Sequence, residues 1–385
     1  MALERCTEQA CFGCGACVAA CPKDAITLVP GEGGFLYPKL DAARCVRCGR
    51  CDAVCPIGAE GLTHPPKQAY AAWADEPTRA SSTSGGAFSA IARTILKQGG
   101  AVCGAELLLP EGRVRHVCVE DESGLARLRK SKYVQSETAP ALRDALARLR
   151  RGQRVLFVGT PCQVAGWRRL TAPFDDLAPA IDLVCGGVPS PALFQRYLRE
   201  EEARAHAPIT DYDFRDKHAG WNFPRIRITF ANGKTVRRIP ACDLFFAGYS
   251  KKLTIRQTCF ECPFCTPTRV GDLTIADCWR VATTHPHYDD NRGTSLILAT
   301  TACGERLLSE ISQNTFIGVY NLDRAIATNT PLRARPKKSP ARQTVLQAAN
   351  PCLTLRKALG HKFFIRGFIV WWVRRLGWFW FRRRQ

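Results

Sequence analysis

CFGCGACVAACP (residues 11–22) and CVRCGRCDAVCP (residues 45–56) decide how the first part of this chain folds. Each run spaces its cysteines C-x2-C-x2-C-x3-C and closes on proline, and the second repeats the first at an offset of 34 residues. Two-residue gaps let a tight loop present three sulfurs to one cubane, while the fourth cysteine, next to proline, reaches across to the other. The spacing therefore assigns Cys11, Cys14, Cys17 and Cys55 to one 4Fe-4S cluster, and Cys45, Cys48, Cys51 and Cys21 to a second. Gly13, Gly15 and Gly49 suit the turns that wrap such bodies. Tetrahedral zinc is the competing use of four thiolates, but zinc ribbons carry two separated C-x2-C knuckles rather than this triple run.

Working outward, residues 1–62 resemble a bacterial two-cluster ferredoxin module, and THPPKQ (63–68) reads as a short stiff linker. Residues 69–330 mix strand and helix signals. VLFVG (155–159) is a buried-strand run, and SPALFQRYLREEEAR (190–204) a helix with Ser190 as N-cap. RIRITFANGKTVRRI (225–239) predicts a hairpin with Asn232-Gly233 in a two-residue type I′ turn. The expected class is α+β: a ferredoxin-like 2×(4Fe-4S) module followed by a mixed-sheet α/β domain. Residues 331–385 are expected to be a basic, solvated linker (TPLRARPKKSPARQ, 330–343) and an aromatic, arginine-rich tail.

The chain has 385 residues, 20 cysteines and a net charge of +21. Fifteen Lys and Arg and no acidic residue follow Asp323, so residues 1–323 carry only +6. MALERCTEQA at the start has no apolar export core, and a reducing cytoplasm with cysteines as metal ligands is the expected setting. Between Phe363 and Phe381, Arg366, Arg374 and Arg375 leave no uncharged run longer than Gly367–Val373. Trp and Phe beside Arg suit peripheral contact with a membrane face more than a bilayer span or a docked partner. No nucleic-acid motif accompanies the charge, and nucleic acid is not an expected partner.

TCFECPFC supplies Cys259, Cys262 and Cys265 as ligands of a third cluster that lacks a local fourth cysteine. Cys162, in VLFVGTPCQVAGW between a strand and a helix, is the best candidate for it, because a helix N-terminus stabilises a thiolate. Burial as a small residue is the plain alternative. Cys6, Cys103, Cys118, Cys185, Cys242, Cys278, Cys303 and Cys352 stand singly and are expected in the core; Cys185 and Cys278 adjoin motif-like stretches.

Eight ordered segments between residues 70 and 300 resemble the coenzyme F420 hydrogenase/dehydrogenase beta-subunit family. They are SSTSGGAFSAIA, KSKYVQS, GTPCQVAG, DLVCGGVPSP, FRDKHAGWNF, CFECPFC, GDLTIADCW and RGTSLIL. The resemblance implies a flavin-binding catalytic domain that uses FAD, a cluster of its own, and Cys162 as fourth ligand. It implies flavin contacts from Ser82, Thr83, Ser84, Gly85 and Gly86, whose small residues let backbone N–H groups approach a phosphate. Lys132, Arg215 and Lys217 would add charge, and Thr160, Gln163 and Trp279 further contacts. Lys132, Asp277 and His218 are the catalytic candidates, with His218 as the substitute proton donor. Two departures concern the substrate: Cys185-Gly186-Gly187 stands where the family commonly has Cys-His-Gly, and Arg280 where glycine often follows tryptophan. The implied activity is that of an iron–sulfur flavoprotein oxidoreductase acting on coenzyme F420 or another small organic molecule, such as a sugar-pathway intermediate. Its redox partner would be a ferredoxin or a hydrogenase/dehydrogenase subunit. The alternative is an electron-transfer beta subunit without a substrate of its own.

Overall fold

A computed structural model describes residues 3, 6–58, 61–109, 111–311 and 313–347. The 363–381 segment expected at a membrane face lies outside the described residues. Among those described, no helix is long and apolar enough to cross a membrane.

The two cysteine runs flank an antiparallel hairpin, β1 (Ile26–Pro30) and β2 (Leu36–Leu40). Each run bends through a glycine with φ above +70° into a single helical turn, Ala16–Ala20 after Gly15 and Arg50–Ala53 after Gly49. The body is built on a nine-stranded mixed sheet. Its strands are β3 (Gln68–Trp73), β4 (Ala101–Leu108), β5 (Arg113–Val119), β6 (Ser136–Glu137), β7 (Val155–Gly159), β8 (Ala180–Leu183), β12 (Leu273–Asp277), β13 (Ser295–Ala299) and β14 (Phe316–Tyr320). They lie in the order β14-β3-β13-β12-β8-β7-β4-β5-β6, and β4, β7, β8 and β12 run parallel at the centre.

Both faces of that centre are covered, which is why VLFVG is wholly apolar. Val155 and Phe157 pack with Leu142, Val164 and Trp167 on one face. Leu156 and Val158 pack with Ile91, Ile95 and Leu125 on the other. A second sheet, β9 (Ile209–Asp216), β10 (Arg225–Phe230) and β11 (Thr235–Arg238), lies against the helix Pro191–Ala205. Ser190 caps that helix as expected, its Oγ accepting from the Leu193 N–H. The β10–β11 turn differs from the two-residue expectation. Phe230 N–H donates to the Lys234 carbonyl, leaving Ala231, Asn232 and Gly233 as a three-residue loop, and only Gly233 of these has positive φ (+82°).

Two segments expected to be linkers, the first stiff and the second solvated, are held in place. His64 exchanges backbone hydrogen bonds with Arg269 at 2.9 and 2.8 Å, which pins the 63–68 linker to the body. Within 330–343, Leu332 is buried and Arg342 donates to the Ile255 carbonyl at 3.1 and 2.9 Å. Val345 and Leu346 follow it into the same core as Phe35 and Tyr37. Isolated apolar residues among the charges anchor this strap, a signal that composition averages away.

Candidate functional site

Cys11, Cys14, Cys17 and Cys55 line one small cavity, so the second run does deliver its last cysteine to the first. Cys6, expected in the core, lines it too. A hydrogen bond with Cys6 holds Cys11 down to about 6 and Cys55 down to about 7, and pushes Cys6 itself well up. Around the other set the contacts are sparser. Cys21 and Cys51 pack beside Val18 and Ile26, and Cys48 acts electrostatically on Cys51. Residues 41–50 are exposed except Cys45, which is half-buried.

The body gathers a third set. Cys162 follows β7 at the start of the helix Pro161–Thr171, and Cys185 follows β8. Cys259 and Cys262 belong to one tight turn, and Cys265 donates its N–H to the Cys262 carbonyl. Burial pushes Cys185 and Cys259 up, the latter to about 11, and Cys162 and Cys265 raise both further. Five thiols thus meet where four were expected. Cys185 arrives from the end of β8, and its adjacency to the GGVPSP motif was the only trace in the sequence. Cys278 is a core residue beside Leu296 and Val281. Among the described residues no three such side chains close on a single metal-ion position. Half-buried thiols gathered around a shared space fit the iron–sulfur body that the spacing predicts.

The inner and body sets adjoin. A Cβ on Gly166, in the same helix as Cys162, would stand 3.1 Å from Cys14 Sγ and 3.0 Å from Ala16 Cβ. Cys162 in turn raises Cys14, after the larger effects of burial and Cys17.

A cavity of about 680 Å³ opens at the C-terminal ends of β7, β8 and β12, where open α/β sheets hold ligands. Ser82, Thr83, Ser84, Gly86, Lys132, Thr160, Gln163, Arg215, Asp277 and Trp279 line it, with Cys162 and Cys185. The hydroxyls of the STSGG loop are already engaged. Ser82 donates to the Thr78 carbonyl, Ser84 to the Thr294 carbonyl, and Thr83 accepts from the Ser131 N–H. The Ser82 and Ser84 protons are thus committed, which leaves the Thr83 O–H and the loop backbone, ahead of the helix Ala87–Lys97, to meet an anionic ligand. Thr160 and Gln163 form a capping box, and Thr160 Oγ1 lies 3.2 Å from Cys162 Sγ.

Three expected residues stand elsewhere. Gly85 packs on β3, where a Cβ would be 2.2 Å from the Ala72 carbonyl oxygen. Lys217 clamps the loop from behind, donating to the carbonyls of Arg79, Ser84 and Arg292, and burial lowers it to about 8. His218 is exposed and outside the cavity lining. Asp277 lines the cavity with both oxygens occupied: Arg215 Nη1 donates to one and Trp221 Nε1 to the other. That pairing suits an anchor for Arg215, which lies over the Trp279 ring at 5.1 Å, better than a proton carrier. Lys132 Nζ donates to the carbonyls of Arg127, Leu128 and Arg129, while burial lowers it to about 7. Arg129, Lys130, Lys132, Arg215, Lys252 and Arg335 face this space against the single carboxylate of Asp277.

Residues 152–325 match the model of the C-terminal part of the coenzyme F420 hydrogenase/dehydrogenase beta subunit, and residues 10–59 that of the 4Fe-4S dicluster domain. No curated protein matches. Thirteen chains of solved structures do, one of them from the F420-reducing [NiFe] hydrogenase complex of Methanosarcina barkeri, in a study of its xenon derivatization. It is 13% identical over 70% of this chain and 92% of that one, with a TM-score of 0.45, a likeness too remote to bear on activity. By these two matches, the body of the chain resembles the C-terminal part of the coenzyme F420 hydrogenase/dehydrogenase beta subunit over residues 152–325, and a 4Fe-4S dicluster domain precedes it at residues 10–59.

Proposed function

We propose that the chain is an iron–sulfur flavoprotein oxidoreductase that links a one-electron partner, a ferredoxin or a hydrogenase/dehydrogenase subunit, to a two-electron organic substrate. The reading rests on one observation above all. A single cavity of about 680 Å³ is bounded by two body thiols, by the STSGG backbone, and by six basic side chains, of which Arg129, Lys130 and Arg215 are ion-paired to Glu122, Asp213 and Asp277 and, among the described residues, Lys132, Lys252 and Arg335 are not ion-paired. Its volume falls in the range of small-molecule sites, and its charge suits a pyrophosphate. FAD, when bound there, supplies the exchange between single electrons and pairs. The thiol sets supply the approach: the outer set (Cys21, Cys45, Cys48, Cys51) lies near the surface, the inner set behind it, and the body set at the cavity wall. Lys132, whose Nζ donates to three backbone carbonyls, adds a fixed donor group at the cavity wall. Coenzyme F420 and an unrelated small molecule both remain within this substrate class.

Anaerobic purification followed by iron, sulfide and flavin analysis tests the proposal. Three cubanes and one flavin require about twelve irons and one FAD per chain. Iron for two clusters and no flavin would overturn it. Full cofactors with reduction of substrate only in the presence of a partner subunit would instead identify an electron-transfer subunit.

A further inference from the structure

Arg256 is fully buried, yet it has no carboxylate partner among the described residues. Its Nε donates to the Cys11 carbonyl at 2.7 Å, and its Nη1 to the Leu36 carbonyl at 3.1 Å and to Gln135 Oε1 at 3.3 Å. The guanidinium lies 4.0 Å from the Tyr37 ring centre, and Nη2 has no partner among the described residues. On its backbone side Arg256 opens the turn of the body set, accepting the Cys259 N–H at 3.1 Å. One residue therefore joins the first cysteine of the inner set to the first cysteine of the 259–265 triple.

Carbonyl anchoring alone does not call for this residue. A neutral amide donates to carbonyls too, without the cost of burying a charge that lacks a counterion. A guanidinium with a spare N–H, set between two groups of thiols, fits a neighbour that is anionic and accepts hydrogen bonds.

We infer that Arg256 is a positioning and tuning residue whose buried cation sets the reduction potentials of both the inner and the body centres. The inference rests on the reading that these thiols hold 4Fe-4S clusters. Reduction adds one electron, supplied by dithionite or the partner protein, and forms or breaks no bond at Arg256. The added negative charge lies beside a fixed positive one in a poorly solvated interior, so the cation favours the reduced state. The outer set, in the exposed 41–50 region, lies beyond this influence.

The test uses the full chain, purified anaerobically, as Arg256→Met, Arg256→Gln, Arg256→Lys and Thr258→Val. Thr258 Oγ1 donates to the same Cys11 carbonyl at 2.8 Å without carrying charge. Iron content is measured first, because native protein without iron would defeat the cluster reading itself rather than this inference. A redox titration followed by electron paramagnetic resonance then reads each centre. In the methionine and glutamine variants, two centres should become harder to reduce by tenfold or more, 59 mV for a one-electron couple, while the third stays put. Arg256→Lys and Thr258→Val should move less than threefold. If both neutral variants lose iron while the lysine variant keeps it, the requirement for charge stands. Unchanged midpoints in iron-replete Arg256→Met, an equal shift in Thr258→Val, or loss of iron in Arg256→Lys would each overturn the inference.

Discussion

Gly13 and Arg47 occupy the same place in the two cysteine runs, and both hold positive φ, +69° and +52°. A Cβ at Gly13 would stand 2.4 Å from Gln135 Nε2 and 3.0 Å from Arg256 Nη1. Arg47, in contrast, is exposed. Gly15 and Gly49 repeat the contrast: a Cβ at the first would meet Thr138 Oγ1 at 2.4 Å, whereas nothing lies within 4 Å of the second. Left-handed backbone costs an L-residue roughly 1–2 kcal/mol, a cost the outer run bears at Arg47 and the inner run has no room to bear. The path of the chain is common to both runs because it wraps sulfurs. The demand for glycine beyond that path comes from neighbours, and only the inner run has them. Cys11, Cys14 and Cys55 are each less than 10% exposed, while Val46 beside the outer set is 56% exposed.

The largest effect should separate Cys14→Ser from Cys48→Ser. Both remove a proposed cluster ligand, but Cys14 is buried with Ala16 and Val54 at the junction with the body. Serine there leaves a poorly satisfied hydroxyl and a loosened interface, and should lower the stability of the body by about 2–3 kcal/mol in urea, followed by tryptophan fluorescence. Cys48→Ser should leave that transition within about 0.5 kcal/mol. Equal losses would end the distinction between the runs. Next comes Gly166→Leu, which drives a side chain against Cys14 and Ala16. Overpacking of this kind costs about 1–3 kcal/mol, and here it should also slow reduction of the body centre relative to the inner one. A variant as stable and as fast as the native protein would show that this contact does not join the two sets. A ferrous chelator offers a smaller but cleaner contrast. The outer third of the iron should leave about tenfold faster than the rest, since access through an exposed loop needs little local opening. A single kinetic phase would contradict it.

What the sequence disclosed follows the reach of each signal. The cross-over of Cys55 to the first run, the helix after Ser190 and the buried β7 are local or repeat-based, and each is found where its spacing predicts. No spacing encodes the meeting of Cys162 with Cys259, 97 residues later; the strand-to-helix context made Cys162 a candidate and the family resemblance made it the favoured one. Cys185 and Cys6 escaped because a single cysteine looks the same in a core and at a site. Lys217 and His218 lie in a stretch whose motif pointed to a ligand, yet one clamps backbone carbonyls and the other faces solvent. The strap through Arg342 was hidden by its own composition. Three apolar anchors among prolines and cations do not alter an average, but their burial fixes the segment.

The smallest effect concerns what meets the outer run. Arg44, Arg47 and Arg50 are exposed around Cys45 and Cys48, and none has an ion-pair partner among the described residues. If single electrons arrive here from an acidic carrier, these charges steer the encounter instead of building a tight complex. Arg47→Glu should then slow second-order reduction of the outer centre about two- to fivefold at low ionic strength, and the difference should vanish at about 0.5 M salt, where screening acts within a few ångströms. The same substitution should leave dithionite reduction unchanged, because a small reductant needs no docking face. Arg143, which donates to the Val18 carbonyl at 2.8 Å behind the first run, provides the internal control. Arg143→Glu should not alter the salt dependence of the carrier reaction. A salt response that follows Arg143 rather than Arg47 would move the entry point from the outer run to the flank of the inner one.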